Sequence, residues 1–183
     1  MNTPHTTARR HAGFTLIECC VAMSVVGVLA TTAVPSMQSM LDGQKLRNAS
    51  ADLVSDLRLA RDAALTRGEN VRITVKTAAG ATCTIVHTGA AADCVCGADP
   101  AVPPSCSGDA TLIRATRLPV SSRVALTTKS PSVVFNAQHG TASPTATYTV
   151  TATDGREIRQ IVNLMGRIRS CSPQGGVTGQ RSC

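Results

Sequence analysis

Aromatic side chains are nearly absent from this chain of 183 residues. It contains no tryptophan, one tyrosine, Tyr148, and two phenylalanines, Phe14 and Phe135. Proteins that hold single-stranded nucleic acid usually stack its bases on aromatic rings. A base-stacking platform is therefore not expected, and any contact with nucleic acid should be made to the phosphate backbone, which requires cations instead.

Catalytic motifs are also missing. The sequence contains no glycine-rich phosphate loop and no paired-carboxylate motif, and His87 and His139 stand apart from any Ser or Cys nucleophile motif. The sequence therefore predicts neither an enzyme nor a cofactor. A metal site is the alternative reading of the cysteines, but a single residue separates Cys94 from Cys96, whereas zinc ligands are usually separated by two or more.

Acidic residues are scarce in the C-terminal half. Residues 14–109 contain seven Lys/Arg and nine Asp/Glu, whereas residues 110–183 contain nine Lys/Arg and only two Asp/Glu. The basic character of the chain therefore belongs to its C-terminal half, which indicates an anionic partner there.

One apolar segment near the N-terminus carries an acid. Residues 14–34 are mostly apolar and supply the roughly 20 helical residues that a bilayer core requires. Glu18 lies near the edge of this span, and an acid at the centre of a span costs roughly 2.5–3.5 kcal/mol on insertion scales. We therefore expect a membrane anchor in which Glu18 has a partner.

The stretch GFTLIE at residues 13–18, after a short basic leader, resembles the class III leader of type IV pilins and type II secretion pseudopilins. This resemblance implies that a prepilin peptidase cuts between Gly13 and Phe14 and that the new N-terminus is methylated. It also implies that Glu18 meets the N-terminal amine of a neighbouring subunit, because a charge pair lowers the cost that each charge bears alone in lipid. Pro35 stands where the family carries a helix-kinking proline. The alternative is a plain membrane anchor.

Periodicity predicts an α+β fold, with a long N-terminal helix packed on a β-rich head. An apolar stripe at three- and four-residue steps extends the helix to residue 67: Leu46, Ala49, Leu53, Leu57, Ala60 and Ala64. Gly68 then follows as a C-cap. Strands are predicted at residues 71–75, 83–86, 111–114, 123–127, 132–135, 147–153 and 157–164, with hairpin turns at Ala79-Gly80 and Asp154-Gly155.

The predicted organisation has three parts. Residues 1–13 are a leader, residues 14–67 are a helix with a transmembrane half (14–34) and an amphipathic half (36–67), and residues 68–183 are a disulfide-stapled head that includes a long loop over residues 87–109. An even number of cysteines in an exported head predicts up to three disulfides. The head cysteines are Cys83, Cys94, Cys96, Cys106, Cys171 and Cys183. Six cysteines allow 15 connectivities, among which we favour Cys171 with Cys183, because a glycine-rich terminal segment joins them.

The order of elements resembles the FimT/GspH branch of the pilin family, and Gly166-Arg167-Ile168-Arg169 resembles the GRxR motif of FimT-type minor pilins that capture DNA in natural transformation. Two arginines one residue apart on an extended segment face the same way, and each can grip a phosphate bidentately. Gly166 would let the backbone turn or approach the ligand closely.

Three further arginines, Arg156, Arg159 and Arg181, could widen this basic patch. The resemblance implies other pilins, the prepilin peptidase and double-stranded DNA as partners. It also implies an inner-membrane anchor with a periplasmic head that later reaches the pilus. One alternative is a solvated arginine face without a ligand, and another is a structural pseudopilin that caps a type II secretion fibre.

Overall fold

The structure is a computed structural model that describes residues 13–78, 80–97, 99, 102–173 and 175–183, with the side chains of residues 32–36 set aside. The chain divides into two compact units, Met1–Gln38 and Ser39–Cys183. Three of the predicted features lie outside the described residues and side chains: the leader up to residue 12, the kink at Pro35 and the turn residue Ala79.

The N-terminal helix is close to its predicted length. Helix α1 spans Leu16–Arg67, 52 residues, and contains the predicted amphipathic stretch. It ends at Gly68, whose φ of +67° is easy only for glycine and whose N–H donates to the Ala64 carbonyl at 3.1 Å. In the part of the chain that the structure describes, no helical stretch combines the length and hydropathy of a bilayer crossing. The assignment of residues 14–34 as transmembrane stays a prediction.

The rest of the described chain consists of short strands. They are β1 (Val71–Ala78), β2 (Ala81–Thr88), β3 (Cys94–Val95), β4 (Ser105–Cys106), β5 (Leu112–Pro119), β6 (Val124–Thr128), β7 (Ser132–Phe135), β8 (Ala142–Ser143), β9 (Ala146–Ala152), β10 (Glu157–Val162) and β11 (Ile168–Cys171). A 3₁₀ turn at Val120–Ser122 joins β5 to β6.

The strands form two main sheets. The first sheet has the order β5-β2-β1-β7-β8, and the second has the order β11-β10-β9-β6. Each neighbouring pair in these sheets is antiparallel. The predicted hairpin turn at Asp154-Gly155 is present, because β9 ends at Ala152 and β10 begins at Glu157.

One core joins the helix to both sheets. The predicted stripe of α1 is buried in it at Leu46, Leu53 and Leu57, with two alanines that let the strands approach. Tyr148 and Phe135, from β9 and β7, are its largest side chains and are fully buried. The residues of this core lie between positions 46 and 177, within the unit Ser39–Cys183. This unit therefore carries its own hydrophobic core and can be expected to fold without the apolar N-terminal segment.

The six head cysteines form three disulfides: Cys83–Cys96, Cys94–Cys106 and Cys171–Cys183. The pair favoured from the sequence, Cys171 with Cys183, is present. The structure thus shows disulfides rather than a metal site at the closely spaced Cys94 and Cys96.

Several predicted boundaries change. The predicted loop over residues 87–109 contains the end of β2 and a two-stranded ribbon of β3 and β4, which carries the Cys94–Cys106 bond. Strand β5 runs to Pro119 rather than stopping near Arg114. Two short edge strands, β8 and β11, were not predicted. Each pairs with the strand that precedes it in the chain, β8 with β7 and β11 with β10, and a run of two to four residues shows no periodicity of its own.

Candidate functional site

The predicted arginine motif lies at the turn between β10 and β11. Asn163 shapes this turn with both its backbone and its side chain. Its carbonyl accepts from the Gly166 N–H at 2.9 Å, its N–H donates to the Arg167 carbonyl at 3.1 Å, and its Oδ1 accepts from the Arg167 N–H at 2.8 Å. The first bond closes the turn at Gly166, and the other two hold the backbone of Arg167. Sequence reasoning missed Asn163, although an asparagine before a glycine turn is a known turn signal.

Gly166 has a packing role that the sequence did not reveal. Its φ is +68°, and it is buried against the turn at Gly140. A Cβ atom at this position would stand 2.0 Å from the Gly140 carbonyl oxygen and 3.1 Å from Nε of Arg61. The predicted turn is therefore present, and the backbone of Gly166 closely approaches Gly140 of the same chain.

Arg167 and Arg169 are both exposed. Arg169 stands opposite Ile161 in the β10–β11 ladder, and the backbone bond from Asn163 to Arg167 continues that ladder by one residue. Because side chains alternate along an extended strand, the two arginines share a face of the second sheet. Among the described residues, neither side chain has an ion-pair or hydrogen-bond partner.

The Cys171–Cys183 disulfide brings Arg181 to the same place. The Ser172 N–H donates to the Arg181 carbonyl at 2.8 Å, which holds the C-terminal segment beside β11. Arg181 and Arg169 line one open hollow of about 520 Å³. Two of the predicted patch residues, Arg169 on β11 and Arg181 in the C-terminal segment, therefore line the same hollow.

Arg156 and Arg159 are engaged within the head. Nε of Arg156 donates to Oδ2 of Asp154 at 2.7 Å, and its Nη2 donates to the Ser39 carbonyl at 2.7 Å. This hydrogen bond from Arg156 lowers the pKa of Asp154. Arg159 donates to Glu157 at 2.8 Å. Arg156 is thus already occupied within the head, while Arg159 is half-exposed on the outer face of the sheet.

The nine cations of residues 110–183 fall into two groups. Five are held by partners within the head, four in ion pairs and one on the carbonyls of Asp99 and Val102: Arg114, Arg117, Arg123, Arg156 and Arg159. For the other four, the described residues offer no side-chain partner: Lys129, Arg167, Arg169 and Arg181. Sequence reasoning missed Lys129. This lysine follows the threonine-rich strand β6, and no acid lies close to it in the sequence.

A buried polar chain fixes β11 to the helix. Gln160 of β10 is 1% exposed, and its amide donates to the Ser50 hydroxyl of α1 at 2.7 Å. Its side-chain carbonyl accepts from the Ser170 hydroxyl at 2.5 Å. A buried amide with both ends satisfied is rigid, because losing either partner would leave a polar group unpaired. The strand that carries Arg169 is therefore fixed to α1.

His87 does not form part of a surface site. It is fully buried, its Nδ1 donates to the Thr88 carbonyl at 2.7 Å, and its Nε2 accepts from the Thr74 hydroxyl at 3.0 Å. Burial lowers the pKa of His87. The Nε2 bond therefore links β2 to β1, whereas the Nδ1 bond stays within β2.

The predicted assembly residues stand at the start of the described chain. Phe14 is 84% exposed, and Glu18 lies in the first turn of α1, where its N–H donates to the Thr15 carbonyl at 3.1 Å. The partner predicted for the Glu18 carboxylate belongs to another subunit. The geometry of this chain alone therefore does not test that role.

Two family matches cover most of the chain. Residues 49–166 match the family described as type II transport protein GspH, and residues 8–34 match the prokaryotic N-terminal methylation motif. The chain belongs to the GspH family. It is a pilin-like protein of the FimT/GspH kind, a minor pilin or pseudopilin, and the proteins of this group are structural rather than enzymatic. The methylation motif implies anchoring in the inner membrane followed by assembly.

A solved structure shares the fold of this GspH-family protein. The type IV minor pilin FimU of Pseudomonas aeruginosa strain PAO1, in space group P21, aligns with a TM-score of 0.50 at 19% identity, covering 72% of this chain and 94% of that one. The same protein in space group P65 aligns with a TM-score of 0.47 at 20% identity, covering 70% and 98%. At this identity the likeness shows the fold alone. Among curated protein sequences, none matches this chain.

Proposed function

We propose that this GspH-family protein is a minor type IV pilin whose head binds double-stranded DNA through its phosphate backbone and serves DNA uptake in natural transformation. Cleavage before Phe14, the partner of Glu18, the membrane span at residues 14–34 and a periplasmic head that later reaches the pilus surface belong to the same proposal. Three disulfides in the head agree with an oxidising compartment outside the cytoplasm.

The observation that carries the proposal is the pattern of ion pairing. Most arginines of the C-terminal half are neutralised or held within the head, but Arg167, Arg169 and Arg181 are exposed and have no such partner among the described residues. A structural salt bridge explains a paired arginine, whereas a cluster of three unpaired arginines gains most from an external anion. Each guanidinium can grip a phosphate with two parallel hydrogen bonds.

The proposed binding is independent of base sequence. The exposed arginines are accompanied by no aromatic ring that could stack on a base, since Tyr148 and Phe135 are fully buried in the core. Contacts to phosphate fix a protein on DNA but carry no sequence information directly. Non-specific binding of this kind has a Kd of roughly 10⁻⁴–10⁻⁶ M at physiological salt.

A second candidate function is a minor pseudopilin with a purely structural, fibre-capping role in a type II secretion system. The description of the matching family as a type II transport protein favours it. Leu164 and Met165 at the tip of the β10–β11 turn also favour it, because they are 61% and 66% exposed and could pack against a neighbouring subunit. DNA binding separates the two candidates.

The test is a titration of the unit 39–183 with a fluorescent duplex across a series of salt concentrations. We expect the logarithm of the binding constant to fall linearly with the logarithm of salt, with a slope of about −0.9 for each phosphate contact. Arg167→Gln with Arg169→Gln should flatten the slope by about 1.8, because two contacts are lost. Neither side chain is packed, so the thermal midpoint should not change.

The matched control removes the same charge elsewhere. Lys45 and Arg67 are exposed on α1, outside the C-terminal half. The double variant Lys45→Gln with Arg67→Gln should leave the slope nearly unchanged. If the two double variants weaken binding equally, or if the wild-type unit does not bind duplex DNA, the head has no DNA site at these arginines and the pseudopilin role is favoured instead.

A further inference from the structure

The outer face of the second sheet is lined by hydroxyls and cations. The side chains of β9 and β10 alternate, so that Tyr148 and Gln160 face the core while their neighbours face outward. Ladder register places the outward residues in two rows across the sheet. One row contains Thr127, Thr149, Arg159 and Cys171, and the other contains Thr147, Ile161 and Arg169.

Two open hollows adjoin on this face. One, of about 770 Å³, is lined by the outward threonines together with Lys129, Arg159, Ile161 and Asn163. The other is the hollow of about 520 Å³ that is lined by Arg169 and Arg181. Ile161 lines both. The two hollows therefore adjoin at Ile161, one reaching the C-terminal segment and the other the loop after β6.

The charge on this surface is strongly positive. It presents four cations, Lys129, Arg159, Arg169 and Arg181. Of these, Arg159 is paired with Glu157, which stands two residues before it on the same face of β10, so Lys129, Arg169 and Arg181 supply the uncompensated charge and Arg159 must share its guanidinium between Glu157 and a phosphate. Threonine hydroxyls can donate to phosphate oxygens, and no aromatic residue is among the lining residues, so the surface suits a phosphate chain better than a stacked sugar or base.

We propose that this outer face is a phosphate track, along which a DNA backbone runs from Arg181 and Arg169 past Arg159 to Lys129. This inference rests on the proposed function and names the surface that extends it beyond the arginine motif. Three strand spacings of about 4.8 Å separate β11 from β6, which gives roughly 14 Å. At 3.4 Å per nucleotide along one strand of the duplex, the track spans about four nucleotides.

Two single substitutions at the far end of the track test it, in the unit 39–183 with the same duplex. Lys129 is exposed, and Lys129→Gln should flatten the salt slope by about 0.9 and weaken binding about eightfold at 0.1 M salt, because one counterion-releasing contact is lost. Thr149→Val should weaken binding about two- to tenfold but leave the slope unchanged, because the hydroxyl is polar but uncharged.

Each substitution has a matched control. Lys45→Gln removes a lysine from the exposed surface of α1, and Thr77→Val removes an exposed hydroxyl from β1 in the first sheet. Both should bind as the wild type does. Thermal midpoints of all four variants show whether the fold is intact.

The outcomes separate the track from the proposed function. If the Arg167 and Arg169 double variant loses affinity while Lys129→Gln and Thr149→Val behave like their controls, the track is refuted and DNA binding at the motif stands. If the wild-type unit binds no duplex, both proposals fail. A flattened slope for Lys129→Gln together with an unchanged slope and weaker binding for Thr149→Val supports the track.

Discussion

Gly166 should be among the positions in the head least tolerant of a methyl group. Its φ of +68° lies in the left-handed region, where a residue with a Cβ costs roughly 1–2 kcal/mol more than glycine. The added Cβ would also stand 2.0 Å from the Gly140 carbonyl oxygen. That oxygen accepts from Nε of Arg61 at 3.3 Å, so it cannot move away without weakening this bond.

The expected cost of Gly166→Ala combines both effects. Forcing an extra methyl group into a packed site typically costs about 1–3 kcal/mol. Added to the backbone term, the free energy of unfolding should fall by roughly 2–5 kcal/mol. A domain of this size is stable by only about 5–15 kcal/mol, so the variant should be visibly less stable and could be partly unfolded.

Gly155 provides the matched control. It has a φ of +85° in the turn between β9 and β10, and a Cβ there would meet nothing within 4 Å. Gly155→Ala should therefore cost only the backbone term, roughly 1–2 kcal/mol. Urea unfolding of the unit 39–183 measures both variants. An equal loss of stability in the two would refute the claim that Gly166 is required by packing against Gly140.

Three further predictions concern other parts of the chain. Replacing Cys171 and Cys183 by serine should lower the free energy of unfolding by about 3 kcal/mol, the value expected for a closed loop of this length. The same change should weaken DNA binding. Denaturant unfolding measures the first effect, and the duplex titration measures the second. Burial lowers the pKa of His87, so the folded state binds fewer protons than the unfolded state below about pH 6.5. The free energy of unfolding should therefore be full above that pH and fall as the pH drops below it. His87→Gln should flatten this dependence in thermal midpoints measured across pH, and a midpoint that falls equally in both proteins would contradict it. Mass spectrometry of the mature protein should show a methylated N-terminal Phe14, and a bulky residue at Gly13 should block processing; cleavage after the apolar segment would refute the pilin-type leader.

The sequence predicted those parts of the fold that local pattern determines. The stripe on α1 from Leu46 to Ala64 and the hairpin turn at Asp154-Gly155 are present because helical and strand periods are visible in single segments. The Cys171–Cys183 pairing followed from a short connecting segment. The other two disulfides could not be assigned, because the β3–β4 ribbon that aligns Cys94 with Cys106 has no sequence period of its own.

The sequence also held an unused signal about which arginines are free. Side chains two residues apart on a strand share a face, so a carboxylate two positions before an arginine on the same strand is placed to neutralise it. Glu157 and Arg159 form such a pair on β10, and Asp154 pairs with Arg156 at the same spacing in the turn before it. Arg167 and Arg169 have no acid at this spacing. Lys129 could not be placed from the sequence, because its position on the outer face depends on the order of strands in the second sheet.

The β10–β11 hairpin, which carries Arg167 and Arg169, is tied to α1, the helix that we propose to act in fibre assembly. Gln160 connects β10 and β11 to Ser50 of α1, and Gly166 packs on Gly140, whose carbonyl is held by Arg61 of the same helix. Two separate points of α1, more than a helical turn apart, therefore fix the strand that presents Arg169. A basic segment attached by a flexible tail would lose conformational entropy when it ordered on DNA, whereas this hairpin is ordered before any ligand arrives. For a surface that makes only a few phosphate contacts, this preorganisation allows measurable binding without base recognition.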